Sequence, residues 1–332
     1  MTSSEKERPT FTAGNATLPD CPLRATAFGF LGEPSETSRI RMSTRPSPHL
    51  QLTSPGADIF VPEETLGLEP AVARTTHLCI GAHPDDIEAM AYHGIAACFG
   101  RTDRWFGGII LTQGAGSARS GVYADFTDEQ MVQVRRREQR KAAYVGDYSF
   151  QVQLGYSSAQ IKERSVPALD QDLRQLLLLA SPEVVYLHQP ADKHDTHLAT
   201  LAHALKALRS LPAAKRPAEV YGCEGWRNLD WLNDDEKKLL DVSAYPGLAS
   251  ALMGVFDSQN SGGKRYDLAL PARRTANATF HNPHTVDAYQ GITWAMDLTP
   301  LVRDETLSPL TFVQAQLDRF RADVTARVER YF

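Results

Sequence analysis

The sequence has few cysteines, no long apolar run and no excess of basic residues. Its four cysteines in 332 residues form no C-x-x-C pair, so a disulfide framework is not indicated and a reducing cytoplasm is expected. No run of about 18 apolar residues occurs, which argues against a membrane span and a membrane partner. The net charge of −5 at pH 7 lacks the basic field that nucleic-acid binding requires, so no nucleic-acid partner is predicted.

Proline is concentrated near the amino terminus, where seven of the 20 prolines lie within the first 60 residues. Regular helices would be broken there repeatedly, so we predict a Pro/Ser-rich arm over residues 1–70. Apolar pieces at 27–31 and 59–61 indicate that this arm packs along the main domain or a neighbouring subunit. A single catalytic domain is expected over residues 71–332.

From about residue 75, short apolar runs alternate with amphipathic segments of helix length, the pattern of βαβ units. The predicted fold is α/β: a Rossmann-like, doubly wound, mainly parallel sheet with helices on both faces. Ligands of such sheets bind beyond the carboxyl ends of the strands. Strands are predicted at 77–81, 106–111, 150–154, 184–187 and 220–223, and helices at roughly 86–99, 127–145, 168–180, 195–210 and 309–330.

The first predicted strand runs into a polar segment, residues 81–88. Pro84 suits a first helical position, so Asp85 and Asp86 are expected in the first turn of the next helix. Acidic residues there also complement the helix dipole without any chemical task. His83 and Asp86, three residues apart, could instead converge on a divalent cation.

A second polar segment, residues 188–197, follows the predicted strand at 184–187. A helix that begins near Asp195 would turn His194 and His197 towards one pocket, although a lone histidine is often only a buried, hydrogen-bonded ring. His83, Asp86 and His197 would give three protein ligands and leave a position for water, as in catalytic zinc sites. Zinc is the favoured cofactor, and Fe(II) or Co(II) could occupy the same ligands.

Three weaker signals point to substrate contacts. The glycine-rich stretch 114–121 lacks the G-x-G-x-x-G spacing of a dinucleotide loop, and is interpreted as a mobile loop whose Arg119 and Tyr123 touch substrate. Trp226 follows the last predicted strand, either as a sugar-stacking wall or in a packed connection. The basic residues are interpreted as a solvated face or an anionic-substrate contact: Lys264, Arg265, Arg273 and Arg274. The sequence does not place His281 or His284 in any site.

These motifs resemble those of the PIG-L/LmbE family of zinc-dependent N-deacetylases. Residues 82–88, AHPDDIE, resemble its AHPDD signature, and residues 194–197, HDTH, match its H-x-x-H element. Residues 111–114 are similar to its T-x-G turn, and residues 135–138 fit its R-x-x-E helix. The resemblance covers roughly residues 75–300, and its segment 256–266 looks like bacterial members that act on N-acetylglucosamine-type sugars.

The resemblance implies that His83, Asp86 and His197 bind zinc and that Asp85 is the general base. It implies that His194 steadies the oxyanion or assists the leaving group, and that Arg135 positions substrate. The expected activity is hydrolysis of the N-acetyl group of an amino sugar. A deacetylase or amidase of a sugar-thiol pathway and a non-catalytic sugar-binding protein are the alternatives. Similarity to sugar deacetylases that assemble as oligomers makes a homo-oligomer one expectation.

Overall fold

An eight-stranded sheet organises residues 50–332, the part of the chain that the computed structural model describes. The strands are β1 (Asp58–Phe60), β2 (His77–Gly81), β3 (Phe106–Thr112), β4 (Phe150–Tyr156), β5 (Val184–His188), β6 (Glu219–Cys223), β7 (Lys237–Asp241) and β8 (Ile292–Asp297). The helices are α1 (Leu68–Ala73), α2 (Asp86–Met90), α3 (Tyr92–Cys98), α4 (Asp128–Val145), α5 (Ser158–Ile161), α6 (Pro167–Ala180), α7 (Asp195–Arg209), α8 (Pro246–Gly254), α9 (Asp257–Asn260), α10 (Tyr266–Phe280), α11 (Thr299–Arg303) and α12 (Pro309–Tyr331).

The strand order is β1-β4-β3-β2-β5-β6-β8-β7. Five neighbouring strands of this order are mutually parallel, because helical crossovers connect them: β4, β3, β2, β5 and β6. Chain order reverses between β2 and β5, so the carboxyl ends of these two strands border the crevice in which α/β sheets bind ligands. The α/β fold with a mainly parallel sheet is therefore confirmed.

Two hydrophobic layers cover the two faces of the sheet. In β2, Leu78 and Ile80 belong to one core cluster while Cys79 belongs to the other, as the alternation of side chains along a strand requires. Helices α1, α6 and α7 pack on the first layer, and α2, α3, α8 and α10 pack on the second. All three cysteines of the described chain are buried and free.

The five strands predicted from apolar runs are all present, and the helices predicted over 127–145, 168–180, 195–210 and 309–330 are confirmed within two residues. The helix predicted over 86–99 is instead two helices, α2 and α3, with a break at Ala91. Next to the break the buried Tyr92 donates a hydrogen bond from its hydroxyl to Tyr245 O at 2.6 Å. The antiparallel strands β1, β7 and β8, of which β1 and β7 form the two edges of the sheet, were not predicted.

The predicted arm is described only from residue 50 onwards; residues 1–49 lie outside the described residues. Its last part joins the sheet, because β1 pairs with β4. The buried carboxylate of Asp172 in α6 accepts hydrogen bonds from Thr53 N at 2.7 Å and Ser54 N at 3.1 Å. Between residues 50 and 332, no helix is long and apolar enough to cross a bilayer.

Candidate metal centre

The turn after β2 differs from its prediction. The helix begins at Asp86 rather than Pro84, and Asp85 is the residue that precedes it, with φ 89°. This left-handed conformation is costly for a residue with a side chain and persists only where surrounding contacts hold it. Arg135 in α4 supplies such contacts, because it donates to Pro84 O and, at 2.9 Å, to Asp85 Oδ2. Gln139, one turn further along α4, accepts from Asp85 N at 3.1 Å.

Asp86 lies at the centre of a group of histidines. Its Oδ2 accepts a hydrogen bond from His83 N at 2.6 Å and lies 3.3 Å from His83 Nδ1. The same oxygen is 3.4 Å from His188 Nε2, and Oδ1 is 3.6 Å from His197 Nε2. The carboxyl ends of β2 and β5 thus bring together the two polar segments that the sequence separates by about a hundred residues.

The start of α7 places the second pair of histidines as expected. His194 immediately precedes the helix and His197 lies one turn in. The centroids of their rings are 4.6 Å apart, and the centroid of the His83 ring lies 5.1 Å from that of His194 and 5.3 Å from that of His197. His83, His194 and His197 therefore face one site.

Asp192 fixes this arrangement. Its Oδ2 lies 2.9 Å from His197 Nδ1, and its Oδ1 accepts a hydrogen bond from His194 N at 2.8 Å. A carboxylate on Nδ1 sets the tautomer of a histidine and leaves Nε2 as the ligand atom. Asp192 therefore orients the His197 ring and leaves its Nε2 as the atom that can bind a metal ion.

The residues present fit a metal ion. Ligand atoms of His83, Asp86 and His197 all lie within 4.8 Å of one another. Within residues 50–332, His197 Nε2 is a buried atom without a hydrogen-bond partner, although it faces Asp86. Two imidazoles and one carboxylate form a donor set suited to zinc.

A second group also has its ligand atoms within 4.8 Å of one another: His188, Asp192 and His197. Within this group His188 Nε2 already accepts from Ala82 N at 3.0 Å, and Asp192 Oδ2 lies 2.9 Å from His197 Nδ1. His188 also stacks on His197, with ring centroids 3.9 Å apart. We therefore assign this second group to the support of the first.

Burial and charge separate the two neighbouring aspartates. Burial raises the pKa of Asp85 to about 6, although the guanidinium of Arg135 opposes the rise. Burial acts on Asp86 in the same sense, but the nearby His197, His188 and His83 rings outweigh it and hold its pKa well below the ordinary value. Two neighbouring carboxyl groups whose pKa values are shifted in opposite directions are typical of a proton acceptor beside a metal ligand.

Two cavities open on these carboxylates. The first, which we call the polar cleft, has a volume of about 570 Å³ and is lined by His83, His194, Arg135, Ser117, Lys162 and Lys264. The second, which we call the apolar cavity, has a volume of about 190 Å³ and is lined by Ala89, Met253, Ala269 and Leu270. Asp85, Asp86, Trp226 and Tyr266 line both.

The predicted substrate residues divide into two pairs. Arg135, buried and bonded to Asp85, and Trp226 both line the polar cleft. Arg119 and Tyr123 line neither cavity: Arg119 pairs with Asp128, and the Tyr123 hydroxyl donates to Asp257 Oδ2 at 2.6 Å. The structure therefore brings the first pair to the site and not the second.

Sequence reasoning missed four residues of the site. His188 and Asp192 lie in the second polar segment, and their signal was their position directly after β5. Gln139 lies one turn beyond Arg135 on the same face of α4, so its helical spacing was a signal. Tyr266 is the last residue of segment 256–266, and the similarity of that segment to sugar-acting family members was its signal.

Comparison with known proteins assigns a family to part of the chain. Residues 78–208 match the model of the PIG-L family, described as GlcNAc-PI de-N-acetylase. No curated protein matches the chain. The stretch that matches includes all the predicted metal ligands and ends before the residues of α8 and α10 that line the apolar cavity.

Solved structures share the fold at low identity. The conserved protein TT1542 from Thermus thermophilus has a TM-score of 0.53 and 20% identity over 67% of this chain and 94% of that chain. GalB, the 4-carboxy-2-hydroxymuconate hydratase from Pseudomonas putida KT2440, has a TM-score of 0.54 and 17% identity over 68% and 96%. Since that fold also serves a hydratase, it does not identify a reaction.

An N,N'-diacetylchitobiose deacetylase from Pyrococcus horikoshii, complexed with its inhibitor MPG, has a TM-score of 0.48 and 17% identity over 70% of this chain and 87% of that chain. Because these solved structures are at most 20% identical to the chain, the family assignment depends on the family model and on the motifs after β2 and β5. Residues 78–208 of this chain are a PIG-L family domain.

Proposed function

We propose that this protein is a zinc-dependent hydrolase that removes the N-acetyl group from an N-acetylglucosamine-type sugar or glycoconjugate. The observation that carries the proposal is the cluster of His83, Asp86 and His197 beside Asp85, whose carboxylate has a raised pKa. The de-N-acetylase description of the matching family supports the same reaction.

The three clustered residues would hold the metal ion. The chemistry that zinc supplies in such a site is polarisation of a carbonyl group and a lower pKa for water. Fe(II) or Co(II) could supply the same chemistry on these ligands.

Asp85 is the proton acceptor of the reaction. Arg135 holds its Oδ2, so the carboxylate is fixed in direction while Oδ1 takes the proton of the attacking water. Hydrolysis then needs a proton on the departing amine, which Asp85 returns. His194, on the polar-cleft side, donates to the carbonyl oxygen as negative charge develops, or to the amine as it leaves.

The experiment that tests this function measures acetate release by the zinc-loaded protein from N-acetylglucosamine, chitobiose-type oligomers and glucosaminyl-malate or glucosaminyl-inositol derivatives. Asp85→Asn should retain zinc and lose turnover by about 100-fold or more, because a general base contributes 10²–10⁴-fold. Preference for the last two substrates would favour a sugar-thiol pathway. A protein that binds the sugars without releasing acetate would be a non-catalytic binder, and chelator-insensitive activity would contradict the metal mechanism.

A further inference from the structure

The apolar cavity is larger than an acetyl group requires. Its volume of about 190 Å³ exceeds the roughly 150 Å³ of an engineered protein cavity that binds benzene, a six-carbon molecule. It opens on Asp85, Asp86 and His197, so a group that occupies it is in contact with the reacting centre.

The walls of this cavity are mainly hydrocarbon and aromatic. Leu270 and Met253 are buried, and Trp226 and Tyr266 approach each other edge to face with ring centroids 6.1 Å apart. Arg273 also lines the cavity, but its Nη1 donates to Gly225 O at 2.8 Å. Such walls favour an alkyl chain over a polyhydroxylated ring, which would lose its hydrogen bonds to water there.

The two cavities suit the two ends of an amide. A secondary amide is trans, so its acyl chain and its amine substituent point in opposite directions from the C–N bond. The polar cleft offers Ser117, Lys162 and Lys264 to a hydroxylated amine substituent. The apolar cavity, which shares Asp85 and Asp86 with the cleft, then receives the acyl chain.

We propose that this site accepts N-acyl groups longer than acetyl, up to about six carbons, and prefers them to acetyl because their chain fills the apolar cavity. The inference rests on the proposed function and specifies its substrate class. The specificity residues lie on α8 and α10, outside the stretch that matches the family model.

The first test compares N-acetyl-, N-butanoyl- and N-hexanoylglucosamine with the zinc-loaded full chain, with release of the free amine as the readout. Each methylene that leaves water is worth about fourfold in binding, so kcat/KM should rise at least tenfold from acetyl to hexanoyl. Ala269 lines the cavity on an exposed position of α10, so Ala269→Phe should fill the cavity without unfolding the protein. This variant should lose tenfold or more in kcat/KM on the hexanoyl compound, so that hexanoyl is no longer preferred to acetyl.

Ala272→Phe is the matched control, because Ala272 is exposed on the same helix and does not line the cavity. A second measurement needs no turnover: calorimetry should show that hexanamide binds more tightly than acetamide, and that Ala269→Phe, unlike Ala272→Phe, removes the difference. Hydrolysis of the acetyl compound alone, with no preference for hexanamide, would overturn this inference and leave the proposed function standing. Absence of amine release from all three compounds would overturn the proposed function, and the amide-binding difference would then decide the cavity assignment by itself.

Discussion

Asp192 is the residue on which the orientation of His197 depends. It holds His197 Nδ1 at 2.9 Å and is itself buried, so no water takes its place easily. Removing a carboxylate behind a metal-binding histidine typically lowers metal affinity 10–100-fold. We therefore expect Asp192→Ala to bind zinc about 10–100-fold more weakly in a competition titration with a chelator.

Asp195→Ala is the control for this change, because Asp195 is exposed at the start of the same helix. Its zinc affinity should equal that of the unmodified protein. An Asp192→Ala protein that folds and keeps full zinc affinity would contradict the role assigned to Asp192.

Gln139 fixes the backbone of Asp85 rather than its side chain. Its Oε1 accepts from Asp85 N, and its Nε2 donates at 2.8 Å to the buried carboxyl of Glu88. Gln139→Met keeps the approximate volume but leaves the Asp85 N–H unpaired beside a left-handed φ, at a cost of about 1–3 kcal/mol. We expect kcat to fall about tenfold with little change in KM, measured by steady-state kinetics.

Zinc affinity should be unchanged in Gln139→Met, since none of the three predicted ligands contacts Gln139. Gln133→Met is the control, because Gln133 is exposed on the same helix. A parallel loss of zinc would mean that Gln139 supports the whole turn instead of Asp85 alone.

At the scale of single residues, the sequence predicts the set of polar residues better than their conformation. His83, Asp86 and His197 are recognisable because they lie in the polar segments that follow two buried strands, and parallel strands end at one side of a sheet. The left-handed φ of Asp85 was not predictable, because Arg135 and Gln139, some fifty residues away in the chain, impose it.

At the scale of elements, the strands found from the sequence are the five parallel strands at the centre of the sheet. β2 and β3 are fully buried apolar runs, the pattern that central parallel strands produce. β7, with the sequence KKLLD, is partly exposed at the sheet edge, and β1 has only three residues. Such edge strands owe their structure to pairing with a neighbour, and pairing is not visible in local sequence.

The segment before β1 is held by one carboxylate. Asp172 accepts from Thr53 N, Thr53 Oγ1 and Ser54 N, and its own side chain is fully buried. Asp172→Ala removes charge-assisted hydrogen bonds and leaves two backbone N–H groups without this acceptor. We expect a loss of about 2–4 kcal/mol in the free energy of unfolding, measured by urea denaturation.

The same change should make the chain near residue 53 more susceptible to limited proteolysis, since the segment loses its attachment to α6. Asp125→Ala is the control, because Asp125 is exposed in the turn before α4. Equal stability of the two variants would contradict the attachment.

At the scale of the whole molecule, the candidate site occupies one edge of the sheet, where the carboxyl ends of the parallel strands meet. His77 begins β2, at the end of the strand that lies away from the site. It is buried, and its Nδ1 lies 3.0 Å from Thr76 Oγ1. Burial lowers its pKa to about 4, with His93 and Arg104 acting in the same direction and Glu219 opposing them. His77 is therefore a probe of folding that is separate from the chemistry of the site.

The folded protein keeps His77 neutral at a pH at which the unfolded chain, with an ordinary histidine pKa near 6.5, already binds a proton. The unfolded state binds more protons between about pH 6.5 and pH 4, so stability must fall as the pH falls through that window. The loss from this residue is at most about 1.4 kcal/mol per pH unit and levels off below pH 4.

His77→Gln should therefore be more resistant to acid than the unmodified protein, with the gain developing between pH 6.5 and 4 in denaturation curves. Any metal contribution is common to both proteins and cancels in the difference, and His284→Gln, a change at an exposed histidine, serves as the control. A constant difference between His77→Gln and the unmodified protein across this window would show that His77 takes up its proton equally in both states.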